Sequence, residues 1–144
     1  MDKMIIKELF ILTNKLKRML DKKYQEHNIR TGQARVLMYL YRTGDEVIYQ
    51  KDIENYFQIR GGTVTGMIDT LEKNNFIMRI DSELDKRKKR IVLTHEGKRI
   101  SKLSIETTRT LEKQIYGLLN KTERSALDSM ISKVGLWIDE EEAN

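Results

Sequence analysis

Apolar residues recur at Ile5, Leu9, Leu12, Leu16 and Met19, ahead of Tyr24, at alternating intervals of four and three. That spacing predicts a long amphipathic helix whose stripe Phe10, Ile11 and Leu20 widen, with Lys7, Lys15, Lys17, Lys22 and Lys23 mostly off it. A second helix is expected from Thr31, with the Thr31 hydroxyl as its cap, through Val36, Leu37, Leu40 and Tyr41 to Thr43-Gly44. A short extended piece, Val47-Ile48-Tyr49, precedes a third helix carrying Ile53, Tyr56 and Phe57. The tight link Gln58-Ile59-Arg60-Gly61 leads into a fourth, with Val64, Met67, Ile68 and Leu71 on one face. The period then changes to two, and Phe76–Ile80 and Arg90–Leu93 read as strands joined by a polar loop. Thr94 is placed to cap a fifth helix holding Ile100, Leu103, Leu111, Ile115, Leu118 and Leu119. Asn120 and Glu123 form a capping box for a sixth, with Leu127, Met130, Ile131, Val134, Trp137 and Ile138. The fold class is mainly α, in the order α-α-β-α-α-β-β-α-α.

Composition narrows what such a chain does. There are 144 residues, no cysteine and no proline, so disulfides, thiolate metal sites and thiol chemistry are excluded. No apolar run is long enough to span a bilayer, and the first residues (Met1, Asp2, Lys3, then Met4-Ile5-Ile6) lack the apolar core of a secretory signal. The expectation is a soluble cytoplasmic protein. The net charge of +5 is modest but unevenly placed: residues 1–46 carry +4, residues 47–99 carry +3, and residues 100–144 carry −2. Lys86-Arg87-Lys88-Lys89-Arg90 concentrates five cations between the two predicted strands and at the start of the second. Such a block persists only on a solvated tip or against a polyanion.

Two short helices joined by a tight turn and followed by a basic hairpin form a winged helix-turn-helix, whose second helix fits a DNA major groove. Three passages carry a family resemblance. Asp85-Lys86-Arg87-Lys88-Lys89-Arg90 matches a D-x-R-x-x-R wing signature, continued by Ile91-Val92-Leu93-Thr94-His95-Glu96-Gly97. Thr63-Val64-Thr65 with Leu71-Glu72-Lys73 looks like a recognition helix, and Thr31-x-Gln33-x-x-Val36-Leu37 like the opening of the helix before the pair. Across residues 30 to 97 the chain resembles the MarR (multiple antibiotic resistance regulator) family of bacterial transcription factors. The resemblance implies a homodimer on pseudo-palindromic double-stranded DNA, most readily as a repressor. Residues 31–94 would form the DNA-binding domain, and residues 1–30 and 95–144 a helical dimerisation region. The wide apolar faces of the first and last helices agree with an interlocked dimer, although they can also pack within one chain.

With Val64, Ile68 and Leu71 inward, steps of about 100° put Gly62, Thr65, Gly66, Asp69 and Lys73 outward, flanked by Thr63 and Thr70. Thr65 is the first candidate for a base or phosphate contact, and Thr63 the second. The family commonly has Arg where Gly66 and Thr70 stand, so this recognition helix is poor in cations. Gly61 and Gly62 allow a close approach to phosphate, and Arg60 is the adjacent phosphate or guanine contact. In the wing, the resemblance assigns Arg87 to the minor groove and Asp85 to orienting it. It assigns Arg90 to phosphate or to bracing the wing through Asp69. Lys88 and Lys89 are expected to neutralise phosphates.

Enzymatic readings find little support. His95-Glu96 is followed by Arg99 where a zinc-protease motif needs its second histidine. The glycines lack the Lys-Ser/Thr of a phosphate-binding loop, and neither a metal site nor a cofactor is expected. Family members sense small aromatic anions, for which Tyr24, His27, Tyr39 and Tyr41 are candidate lining residues; ordinary core packing is the alternative for each. Two other readings stay open: a nonspecific nucleic-acid binder and a winged-helix protein–protein adaptor.

Overall fold

In a computed structural model, residues 4–144 are described; Met1, Asp2 and Lys3, the start of the expected N-terminal region, lie outside them. The elements are α1 (Ile5–Tyr24), a 3-10 turn (Gln25–His27), α2 (Thr31–Thr43), α3 (Gln50–Phe57), α4 (Gly61–Lys73), β1 (Ile77–Asp81), β2 (Lys89–Leu93), α5 (His95–Leu118) and α6 (Lys121–Ala143). The chain divides into two compact units, one up to Thr107 and one from Thr108 to Asn144, so α5 contributes to both.

The first unit holds the winged helix-turn-helix. Ala34, Leu37, Ile53, Val64, Ile68 and Leu71 are fully buried, and Ile29, Val36, Ile77, Ile91 and Ile100 are among the residues that join them in the core. The face predicted for α4 is the one that packs. β1 and β2 pair antiparallel with Ile77 opposite Leu93 and Asp81 opposite Lys89. The extended piece at Val47-Ile48-Tyr49 is not a strand: it offers the hairpin one hydrogen bond, Ile91 N–H to the Ile48 carbonyl at 2.8 Å. Tyr49 caps the next helix, whose start Asp52 stabilises by accepting from the Tyr49 N–H at 2.8 Å. Only three extended residues in the six-residue link between α2 and α3 leave no length for a ladder.

Thr31 does not cap α2. Arg30 occupies that position, and Thr31 is the first helical residue. Its N–H and hydroxyl both donate to Asp21 on α1, at 2.9 and 2.7 Å. A carboxylate from another helix thus serves a donor that the helix start leaves unmatched. The Thr31 N–H and hydroxyl, in that order, hold the Asp21 carboxyl below its ordinary value. A depressed carboxyl pKa stabilises the fold above the unfolded value and loses that contribution as pH falls through the folded one. Asp21→Ala should therefore cost about 1–2 kcal/mol at neutral pH, the usual worth of a lost cap. The gap between wild type and variant in urea melts should close below about pH 4; a gap unchanged at pH 3 would refute this role.

Thr94 does cap α5, accepting from the Gly97 N–H at 2.9 Å while donating to the Asn75 carbonyl at 2.6 Å. In the second unit, Asn120 and Glu123 exchange the two bonds of a capping box, each 2.9 Å, at the start of α6. None of the α6 side chains is buried, and Met130, Ile131, Leu136 and Trp137 are each more than half exposed. The α1 stripe in the first unit is exposed as well, including Ile5, Leu9, Leu12 and Leu16.

Candidate nucleic-acid interface

Arg60, Gly62, Thr63 and Thr65 lie at or just before the N-terminal turns of α4, all exposed. Thr63 N–H and Val64 N–H both return to the Arg60 carbonyl, at 3.1 and 3.2 Å. The Gly61 and Gly62 amides precede them and have no acceptor within the helix, which leaves them for an anion. Gly61 is close to α3: a Cβ there would stand 3.1 Å from the Glu54 carboxylate. Thr65 is tied to α3 as well. It accepts from the Gln50 amide at 2.8 Å and donates to the Gly61 carbonyl at 2.8 Å.

The wing tip is a fork. Asp85 accepts from the Arg87 backbone N–H at 3.0 Å and from Nε and Nη2 at 3.1 Å each. The Arg87 side chain is 89% exposed, so the guanidinium is held without being covered. The Arg87 side chain, then its N–H, keep the Asp85 carboxyl well below its usual range. The fork consequently stays charged through neutral and mildly acidic pH, and weakens only as pH falls through that lowered value. Lys88 stacks over the Tyr49 ring at 4.9 Å, Tyr49 shares a 2.5 Å hydroxyl bond with buried Ser82, and Lys89 pairs with Asp81. The two lysines therefore brace the wing while remaining exposed.

Arg90 does not reach Asp69. Asp69 and Glu72 on α4 are both engaged by Arg79 on β1, with the Glu72 contact at 3.3 Å. Glu72 also accepts from the Arg79 backbone N–H at 3.0 Å. Strand alternation explains the exchange. Ile77 and Arg79 share one face of β1, whereas Arg90 alternates with core-facing Ile91 on β2 and turns to the other side. There it lines a cleft of about 620 Å³ with Tyr41, Ile48, His95, Lys98 and Lys102. Its Nε is buried and has no partner among the described residues. Arg79 was missed from sequence, although a lone cation inside an apolar strand beside an i, i+3 carboxylate pair is a readable signal. Arg79→Met should lower stability by about 1 kcal/mol, modest because the carboxylates are solvated. It should lower DNA affinity as well, by freeing α4 from the wing. Unchanged amide-exchange protection in α4 would argue against this clamp.

The aromatic and histidine candidates are not gathered at one site. Tyr24 is buried in the core, and the His27 ring meets the Thr107 hydroxyl at 3.3 Å. Tyr39 stacks on Tyr56 at 4.4 Å and on Phe57 at 5.8 Å. Burial raises the Tyr39 phenol pKa. Of the four, Tyr41 lines the Arg90 cleft. No group of metal-ligating side chains is found among the described residues.

A winged helix with this fork at its tip invites comparison with known proteins. The sequence model of the MarR family matches residues 29–89, from the end of the 3-10 turn to the wing. Over those residues the chain is MarR-like. Among proteins similar to this chain is the HTH-type transcriptional repressor YetL of Bacillus subtilis (strain 168), 28% identical over 90 residues. That match covers 62% of this chain and 54% of YetL, so the chain spans about half of that relative's length. The HTH-type transcriptional regulator PecS of Dickeya dadantii (strain 3937) is 27% identical over 81% of this chain and 71% of its own. In fold, the chain is similar to S. aureus MepR in a DNA complex. The TM-score is 0.88 at 23% identity, over 92% of this chain and 97% of MepR. These relatives are regulators, and the family is not one of enzymes.

Proposed function

We propose that this chain is a MarR-family, sequence-specific double-stranded-DNA-binding transcriptional regulator, acting as a homodimeric repressor on a pseudo-palindromic operator. The observation that carries the reading is the wing fork, a solvent-exposed Arg87 guanidinium aimed by Asp85. A planar, weakly hydrated cation held in one orientation suits a narrow, electronegative minor groove. The exposed N-terminus of α4, with Arg60, Gly62, Thr63 and Thr65, supplies the major-groove element. Arg90, Lys88 and Lys89 add positive charge along the hairpin. That MepR shares this fold and has been solved with DNA supports the transfer.

Residues 31–94 are the DNA-binding domain in this reading, and residues 1–30 and 95–144 dimerise. The exposed apolar positions of α1 and of α6 support that division, because a monomer leaves them in water. The protein works in the cytoplasm; none of the described helices is long and apolar enough to cross a membrane. A small anionic or aromatic ligand releases it, and the cleft beside Tyr41, Arg90, Lys98 and Lys102 is our candidate site.

Selection of bound sequences from a random duplex pool, repeated at two salt concentrations, tests this reading. A palindromic motif with two half-sites about one helical turn apart is the expected result. Steep salt loss without a motif would indicate a nonspecific binder. No enrichment at all would indicate an adaptor that binds protein.

A further inference from the structure

We infer that the recognition helix reads thymine, through the methyl group of Thr65 set beside the bare backbone of Gly62 and Gly66. This rests on the DNA-binding reading above and adds which base the helix senses. The outward face of α4 lacks the side chains that usually read bases. Between Gly61 and Lys73 there is no Arg, Asn or Gln, the side chains that pair bidentately with guanine or adenine. The one carboxylate on the outermost stripe, Asp69, is engaged by Arg79. Lys73 stands at the far end from the N-terminal turns that enter a groove.

Of the three α4 threonines, Thr65 and Thr70 have occupied hydroxyls. Thr65 Oγ1 donates its proton to the Gly61 carbonyl at 2.8 Å and accepts from Gln50 at 2.8 Å. The Gln50 amide is held there by further bonds to the Gly61 carbonyl and to Glu54, each 3.3 Å. Thr70 Oγ1 likewise donates to the Gly66 carbonyl at 3.0 Å. A hydroxyl folded back on its own helix leaves the methyl as the group that an exposed threonine offers outward. Thr65 thus presents an apolar tip, held by α3, where a groove-reading helix ordinarily presents a polar one.

Gly62 and Gly66 lie one turn apart on the same face. A Cβ at either position would meet nothing within 4 Å, so packing inside this chain does not require glycine there. Glycine within a helix costs about 1 kcal/mol relative to alanine. Their positions on the groove-facing side give them a use outside the chain: the backbone can come close to base edges. The thymine 5-methyl is the one apolar feature on the major-groove floor, and a threonine methyl flanked by glycines complements it.

The test replaces thymine by deoxyuridine, one position at a time, in the duplex returned by selection, and measures affinity of the full-length protein at fixed salt. Removing only the methyl should weaken binding about fourfold at one or more positions in each half-site, the worth of burying one such group. With Thr65→Ser, which keeps the hydroxyl and deletes the methyl, that preference should fall to parity at the position facing residue 65. Gly66→Ala should raise thermal stability while weakening operator binding. Uracil duplexes bound as tightly as thymine duplexes throughout would overturn the methyl reading and leave DNA binding intact. A uracil effect that Thr65→Ser does not alter would overturn the assignment to Thr65. Binding of random duplex as tight as of any selected sequence would sink both readings.

Discussion

Arg87→Ala is expected to weaken operator binding by roughly 100-fold, whereas Lys102→Ala on α5 should change it by less than about threefold. A specific guanidinium contact is worth about 1–3 kcal/mol, and a dimer presents two wings. The fork makes the difference larger than a count of charges suggests. Asp85 holds Arg87 by three hydrogen bonds, so little side-chain freedom remains to be lost on binding. Lys102 is a cation too, but it lies on the cleft beside α2 rather than at the wing tip. Fluorescence anisotropy at several salt concentrations would check this. Each lost cation–phosphate contact lowers the salt slope by about 0.9, so Arg87→Ala should flatten it by up to about two in the dimer. Equal affinities for the two variants at matched salt would remove the wing from the interface.

Gly97→Ala is expected to destabilise the first unit by about 3 kcal/mol or more, a large part of the stability of a domain this size. A Cβ on Gly97 would sit 1.9 Å from the Phe76 carbonyl oxygen and 2.9 Å from its carbon. Those are backbone atoms, and they cannot swing aside as the end of a side chain can. The same carbonyl accepts from the Thr94 N–H at 3.0 Å, and Thr94 in turn caps α5. Any shift that relieves the clash therefore disturbs the joint between hairpin and helix. Gly117→Ala is the control, because a Cβ there meets nothing within 4 Å and the exchange gains helix propensity of about 0.5–1 kcal/mol. Urea unfolding of both variants gives the comparison; a Gly97→Ala protein as stable as wild type would show that the joint yields.

Much of this architecture was legible from spacing because helix and strand periods are local. The bounds of α2, the apolar stripes of α1 and α4, the Thr94 and Asn120 caps, and the switch to period two all follow from residues close in sequence. Asp85 and Arg87 were legible for the same reason, being two residues apart. The Val47–Tyr49 segment shows the limit: three extended residues read as a strand, yet only a neighbour's hydrogen bond decides whether a ladder forms.

The sequence by itself determined the order of the six helices and the hairpin, the buried face of the recognition helix and the basic tip of the hairpin. Tertiary structure alone decided which charges meet. Asp21 reaches forward ten residues to the start of α2, displacing the expected Thr31 cap. Arg79, not Arg90, takes Asp69, because the pleat sends adjacent strand residues to opposite faces. Gln50 occupies the hydroxyl of Thr65, the first candidate for a base or phosphate contact, and leaves its methyl as the group offered outward. Local patterns report which face a residue takes, whereas a polar group's partner depends on what the packed neighbours place within about 3 Å.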